Sequence, residues 1–338
     1  MQPFAERFPR LAQALHQRFG TPWRVEDVTR PGYSRFAVFA LITDRGRYAL
    51  KQHAMARRDA VLGQHAFQQM LASDPDSCVP PLQRWTDGAT WLDDGQFGWE
   101  LCTWVLGEPW PAQVQLTEDA WQQQLDAIIA IHRSALRWHD SSTRAAAIGS
   151  SSSIPQGWSE RRDRLRFWSG TQIDWGTIGQ SVATAWGADP RFARALQRVR
   201  SWLPELVIEL EHLCRNGAPS WWIARDVWRA HWLYDAGKLK GLIDFGAARP
   251  DWPGLDLVRA WGTMLDEDDP RWQSGCERYG QEVPEARIDA RTIRIVHRAS
   301  VALSLLQWCE WCASGKVDRS AGPSPRFIEL VQRVLTMA

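Results

Sequence analysis

The stretch Trp222 to Ala260, WIARDVWRAHWLYDAGKLKGLIDFGAARPDWPGLDLVRA, decides how the rest of the chain is read. Two short apolar runs in it end on aspartates, Asp226 and Asp244, and the turn residues Asp235-Ala236-Gly237-Lys238 between them predict a hairpin. The second aspartate opens the triplet Asp244-Phe245-Gly246. A carboxylate able to meet a hydroxyl, followed about twenty residues later by one able to hold a metal ion at a strand end, suits phosphoryl transfer.

Upstream, residues 23–51 read as β structure. An apolar run at Phe36 to Ile42 and turns at Pro31-Gly32 and Arg45-Gly46 predict a three-stranded meander that ends in Tyr48-Ala49-Leu50-Lys51. Before it, Phe4, Phe8, Leu11, Leu15 and Phe19 recur at helical spacing, which predicts one helix over 3–19 stopped by Gly20. After it, the pattern predicts a helix from about 57 to 72, then strands over 89–92 and 98–107. From there on helices dominate, over 121–136, 190–214, 286–314 and 325–337, with a serine-containing loop over 140–157.

The central motif resembles the catalytic and metal-binding loops of the protein-kinase-like superfamily, in the version found in aminoglycoside phosphotransferases and related small-molecule kinases. That version reads His-Gly-Asp-x-x-x-x-Asn and then, after a hairpin, Ile-Asp-Phe. Here the chain gives Ala224-Arg225-Asp226-Val227-Trp228-Arg229-Ala230-His231, then Ile243-Asp244-Phe245-Gly246. With Lys51 and the run Gly98 to Pro109, the resemblance covers roughly residues 23 to 260.

The resemblance implies an α+β, bilobal kinase-like fold. A small antiparallel β-rich lobe would occupy residues 1–107 and a larger, mainly helical lobe residues 108–338. It implies ATP as donor, Mg²⁺ or Mn²⁺ as metal, and a small-molecule hydroxyl as acceptor. Asp226 would orient the acceptor hydroxyl and take its proton late. Asp244 would hold the metal, with His231 in the position of the second metal-binding residue. Lys51 would neutralise phosphates, and Gly32 and Ser34 in the first β-turn would cover them. Leu101, Cys102, Thr103 and Trp104 would form the hinge that reads adenine, and Asp256 would brace the catalytic loop.

Three departures from the pattern stand out. His231 replaces an asparagine, and imidazole suits Mn²⁺ better than hard Mg²⁺. Ala224 replaces a histidine. On the helix after Lys51, where relatives carry a glutamate that pairs with the lysine, the sequence offers His65 beside Gln64 and no glutamate; His65 could accept a hydrogen bond from Lys51 without forming an ion pair. Two readings therefore stay open, an active phosphotransferase and a nucleotide-binding pseudokinase that acts as a sensor.

Bulk properties exclude other classes. Forty lysines and arginines against 39 aspartates and glutamates leave no global field to attract nucleic acid or a membrane surface. No GxxxxGK[ST] occurs, which argues against a P-loop. No run of 18 uncharged apolar residues spans a bilayer, and the N-terminus lacks the apolar core of a signal peptide. Six scattered cysteines point to a reducing, cytoplasmic setting, and the Cys309-x-x-Cys312 pair inside an apolar helical run reads as packing. Asp266-Glu267-Asp268-Asp269 would suit a cationic acceptor such as an aminosugar, although four acids followed by Pro270 are more often a solvated loop. The oligomeric state has no sequence signal.

Overall fold

The computed structural model describes residues 3–29, 36–74, 77–111, 114–141, 153–317 and 322–337. The chain divides into two compact units, Met1–Ser141 with Ala224–Arg249, and Ser142–Ile223 with Pro250–Ala338.

The first unit opens with two helices where the periodicity predicts one, α1 (Phe4–Arg7) and α2 (Pro9–Phe19). Pro9 is the reason. It has no N–H to continue α1 and forces the preceding residue out of helical geometry, and Phe8 sits at φ −132°, ψ 67°. The meander follows as β1 (Trp23–Asp27), β2 (Val38–Thr43) and β3 (Gly46–Ala54), antiparallel throughout. Helix α3 (Arg58–Ala72) leads to β4 (Leu92–Asp93) and β5 (Phe97–Thr103), which complete a sheet of order β1-β2-β3-β5-β4.

Alternation along β3 gives this sheet two different faces. Leu50 joins Phe39, Leu41, Trp99 and Leu101 in an apolar layer that receives Phe8, Leu11, Leu15 and Phe19 from the N-terminal helices. The rings of Phe8 and Trp99 meet edge to face at 4.9 Å. Trp99 is fully buried, and its indole N–H donates to Asp94 Oδ2 at 2.7 Å. Trp99→Ala is expected to cost about 3–5 kcal/mol, because the cavity left under α2 cannot collapse onto a sheet held by ladder hydrogen bonds. Hydrogen exchange of the β3 and β5 amides checks this, since protection there reports the first unit by itself.

Strand β5 ends at Thr103, short of the expected 107, and Gly107 at φ 123° turns the chain into β6 (Glu108–Pro109). A Cβ on Gly107 would lie 2.7 Å from the Tyr234 carbonyl oxygen, so only glycine fits there. Helix α4 (Glu118–Ser141) comes next. The chain then leaves this unit for α5 (Gln156–Ser169), α6 (Trp175–Trp186), α7 (Pro190–Asn216) and β7 (Trp221–Ile223), and returns with the hairpin β8 (Trp232–Asp235) and β9 (Lys238–Leu242).

Ala236 and Gly237 both have positive φ, as a two-residue hairpin loop requires. Strand β6 pairs with β8, and Gln123 of α4 accepts from the Leu239 N–H at 2.7 Å. These bonds keep residues 108–141 with the first unit, so the division expected at 107 falls inside it.

In the second unit, α8 (Gly254–Trp261), α9 (Arg271–Glu282), α10 (Ala290–Ala313) and α11 (Pro325–Thr336) join α5–α7. Helix α10 packs on α5, α6, α7, α8 and α11, which explains the apolar run around Cys309 and Cys312. Both thiols are buried, and burial pushes the Cys309 thiol up, away from the reactive thiolate. No described helix is long and apolar enough to cross a membrane.

Candidate active site

The catalytic-loop sequence folds into a compact arch. Asp226 N–H donates to the Ala224 carbonyl at 2.9 Å, His231 N–H to Trp228 at 2.9 Å, and the Trp232 indole to Val227 at 2.8 Å. Arg225 carries a φ of 65°, in the left-handed region that costs a bulky residue about 1 kcal/mol or more. That backbone suits the glycine of the resembled pattern, and the arginine adopts it here with strain.

His231 stands between the two aspartates. Its Nδ1 donates to the Asp226 carbonyl at 2.5 Å and lies 4.0 Å from Asp226 Oδ2. Its Nε2 accepts from the Trp228 indole at 2.9 Å and lies 3.7 Å from Asp244 Oδ2.

Asp244 begins the second loop with φ 66°, a conformation that aspartate tolerates better than most residues. Its Oδ1 accepts from the Gly246 N–H at 3.2 Å and from Lys51 Nζ at 2.5 Å. A Cβ on Gly246 would lie 3.0 Å from Asp244 Oδ1 and 3.2 Å from Lys51 Nζ, so this ion pair needs a glycine beside it. Burial alone would raise the Asp244 carboxyl, but the Lys51 charge, His231 and the hydrogen bonds outweigh it and hold the pKa at about 2. Burial would likewise lower the Lys51 ammonium, and Asp244 and Glu100 reverse the sign and raise it.

These shifts set a pH dependence. A depressed carboxylate adds stability above its ordinary pKa of about 4, and loses it as pH falls through its folded value. The Asp244 contribution therefore disappears between about pH 4 and about pH 2. The Lys51 contribution is complete below its ordinary pKa and is lost only in strong alkali, as pH rises through the raised value. Asp244→Asn is expected to flatten the acid limb of melting temperature against pH by lowering the neutral plateau towards the acid value, a modest fall because water screens a side chain that is 39% exposed.

The helix after Lys51 is tied to the same loop, but not through the lysine. Gln64 Nε2 and Arg57 Nη2 both donate to the Gly246 carbonyl, at 2.9 and 3.0 Å. His65 turns to Glu100 Oε2 at 2.9 Å and to Thr90 Oγ1 at 2.8 Å, where the sequence suggested a bond from Lys51. His53 reaches the same Glu100 oxygen at 2.8 Å. Sequence reasoning assigned no role to Glu100, Arg57 or His53. A signal for Glu100 was its place as an acid inside the strand expected over 98–107.

The other expected site residues divide as follows. Leu101, Cys102 and Thr103 lie within β5, paired with Leu50, Ala49 and Tyr48. The N–H groups of Thr103 and Trp104 donate to Pro81 and Arg47 carbonyls, and the Arg47 guanidinium stacks on the Trp104 ring at 3.9 Å. Gly32 and Ser34 lie outside the described residues. Asp256 belongs to the second unit, buried in the first turn of α8; Pro253, not Asp256, occupies the N-cap. In the acidic run, Asp269 pairs with Arg271 at 2.6 Å and Glu267 with Arg298 at 3.3 Å, so half of its charge is already neutralised within the fold.

Among the described residues, no group of three or more histidine, cysteine, aspartate or glutamate side chains is placed to hold a metal ion by itself. The donor set still fits Mg²⁺, which binds through one or two carboxylates and takes its remaining ligands from phosphates and water.

Compared with protein-family models, the chain matches that of the phosphotransferase enzyme family over residues 29–290, well over half its length. The chain belongs to the phosphotransferase enzyme family.

Its fold is that of kinase-like solved structures. One is a spectinomycin phosphotransferase in complex with ADP and spectinomycin, at TM-score 0.63 and 10% identity, with 97% of each chain covered. Another, a putative aminoglycoside phosphotransferase from Ralstonia eutropha, gives TM-score 0.58 at 13% identity and covers 96% of this chain and 94% of that one. A microcompartment-associated aminopropanol kinase gives 0.55 at 17% identity, over 97% and 94%. A comparison with curated proteins finds no match. Within this phosphotransferase, the α+β arrangement with an antiparallel N-terminal sheet and a helical C-terminal part agrees with the expected fold class.

Proposed function

We propose that this phosphotransferase moves the γ-phosphoryl group of ATP to a hydroxyl of a small molecule. The carrying observation is the convergence of Lys51, Asp226, His231 and Asp244 in one unit, with the two carboxylates on either side of one imidazole. The family match and the ADP-bound spectinomycin phosphotransferase among similar structures support the choice of nucleotide.

In this reading Asp226 accepts a hydrogen bond from the acceptor hydroxyl and orients its oxygen towards the γ-phosphorus. The O–P bond to the acceptor forms as the bridging O–P bond to ADP breaks, and the hydroxyl proton passes late to Asp226. Lys51 donates to phosphate oxygens. Asp244 would hold Mg²⁺, with His231 as its neighbour once Nε2 exchanges the Trp228 indole. The metal supplies charge neutralisation on the phosphates. Leu101 to Trp104 would lead into the adenine-reading segment, Gly32 and Ser34 would cover the phosphates, and Asp256 would serve as a structural support. Residues 1–107 would form the nucleotide-covering part of the first unit, and the rest of the chain would carry the catalytic and metal-binding loops and acceptor specificity.

The test measures ADP release from ATP with Mg²⁺ or Mn²⁺ over aminoglycosides, amino-alcohols, choline and sugars, beside thermal shifts with each nucleotide–metal pair. Acceptor-dependent ADP release is expected. Stabilisation by ATP without turnover on any acceptor would favour a nucleotide sensor instead, and the absence of both would overturn the reading.

A further inference from the structure

Lys51 has two carboxylates acting on it, and only one belongs to the metal-binding loop. Asp244 takes the ion pair. Glu100 stands directly opposite Lys51 in the antiparallel register of β3 and β5, so the two side chains share one face of the sheet. His53, two residues along β3, projects from that same face, and α3 contributes His65.

We propose that Glu100 is the residue that positions Lys51 for phosphate binding, held for that task by His53 and His65. The proposal rests on the reading of Lys51 as the phosphate-binding lysine, and it assigns the negative partner to a strand instead of to α3. Helix α3 has no acid turned inwards, since Asp59 is exposed and Gln64 is spent on the Gly246 carbonyl.

The details of the cluster fit a charge kept for a purpose. Both imidazoles donate Nε2–H to the same oxygen of Glu100, Oε2, and the Thr90 hydroxyl donates to His65 Nδ1, which fixes that ring's orientation. Oε1 forms no hydrogen bond among the described residues and is left on a carboxylate facing the lysine strand. Burial would raise the Glu100 carboxyl, but the bonds from His53 and His65 and the charge of Lys51 hold it well below the usual range. A pin between strand and helix would need only an oxygen acceptor for two N–H groups, which an amide supplies. An ionised carboxylate in this position is costly to bury unless a cation uses it. Were Asp244 committed to a metal, Lys51 would lose its present partner, and Glu100 would remain to hold the ammonium under the phosphates.

The experiment separates charge from shape. Glu100→Gln keeps the size and the acceptor for both histidines, and the double variant Glu100→Gln with His65→Glu returns a carboxylate from α3. Binding of AMP-PNP with Mg²⁺ is measured by calorimetry for the full chain, and steady-state KM and kcat are measured wherever turnover occurs. Glu100→Gln is expected to weaken AMP-PNP binding by about ten- to hundredfold, the worth of a hydrogen bond to a charged group. Lys51→Met should weaken it comparably, Glu100→Gln should add little in that background, and the double variant should recover most of the loss. Melting temperature should fall in Glu100→Gln, since the depressed carboxylate adds stability that an amide lacks, so affinity is measured well below the melting point of each variant.

Unchanged AMP-PNP affinity in Glu100→Gln, or a loss that is equally large in the Lys51→Met background, would reduce Glu100 to a structural pin and overturn the proposal. If the wild type bound AMP-PNP without turnover on any acceptor, the phosphotransfer reading would fail while the affinity pattern still decided this one. A wild type that bound no nucleotide would overturn both.

Discussion

Asp226→Asn is expected to lower kcat by about 10²–10⁴-fold, the usual contribution of a positioned general base, while nucleotide affinity stays unchanged. The amide keeps the shape of the carboxylate and cannot take a proton. Backbone bonds hold the loop around it: the Asp226 N–H donates to the Ala224 carbonyl, and the Asp226 carbonyl accepts from His231. The arch should therefore keep its form, and the loss should fall on the chemical step and not on binding. Rapid-quench measurement of the first turnover checks this, because it reads phosphoryl transfer before product release. A fall of less than about tenfold would mean that the acceptor hydroxyl needs no base here, or that another group supplies it.

Asp244→Ala is expected to have an effect of another kind. It removes the carboxylate that would carry Mg²⁺ and, in the same change, the ion-pair partner of Lys51. Loss of metal-borne charge stabilisation is worth several kcal/mol, on the order of 10³-fold in kcat/KM. Unlike Asp226→Asn, this variant should bind AMP-PNP with little or no dependence on Mg²⁺ concentration, since the carboxylate proposed to link metal to protein is gone. The fold should survive, because the Asp244 side chain is about two-fifths exposed, at 39%, and water screens the pair. Calorimetric titration of AMP-PNP at several Mg²⁺ concentrations decides the matter: a Mg²⁺ dependence equal to the wild type's would remove Asp244 from the metal site.

The two variants probe opposite sides of His231. That residue stands where the resembled pattern has asparagine, and both of its ring nitrogens already have work in this structure. Its exchange for asparagine is the natural companion to both experiments, since it would show how far the imidazole and the Trp228 indole set the metal preference.

Much of the architecture could be read from local pattern. The meander, the lysine on its last strand and the hairpin before the second aspartate follow from period-two alternation, turn residues and order along the chain. These features are local, and local rules reach them. The run before Asp226, read as a strand of that hairpin, is instead β7, and β8 pairs with β9 and β6. The first helix was misread as continuous although its cause, Pro9, is visible in the sequence. Apolar spacing continues straight through the proline and conceals the break.

The stretch Trp222 to Ala260 thus determined by itself the kind of chemistry and the residues in line for it. Tertiary structure alone decided what surrounds them. Glu100 comes within the field of Lys51 because β5 pairs with β3, although the two lie far apart along the chain. Gln64 and Arg57 fasten α3 to the carbonyl of Gly246, an acceptor that every residue type possesses and no sequence can mark. A motif records which groups the reaction needs in chain order. The field that charges and aims those groups depends on distances through space, and these exist only once the sheet has closed.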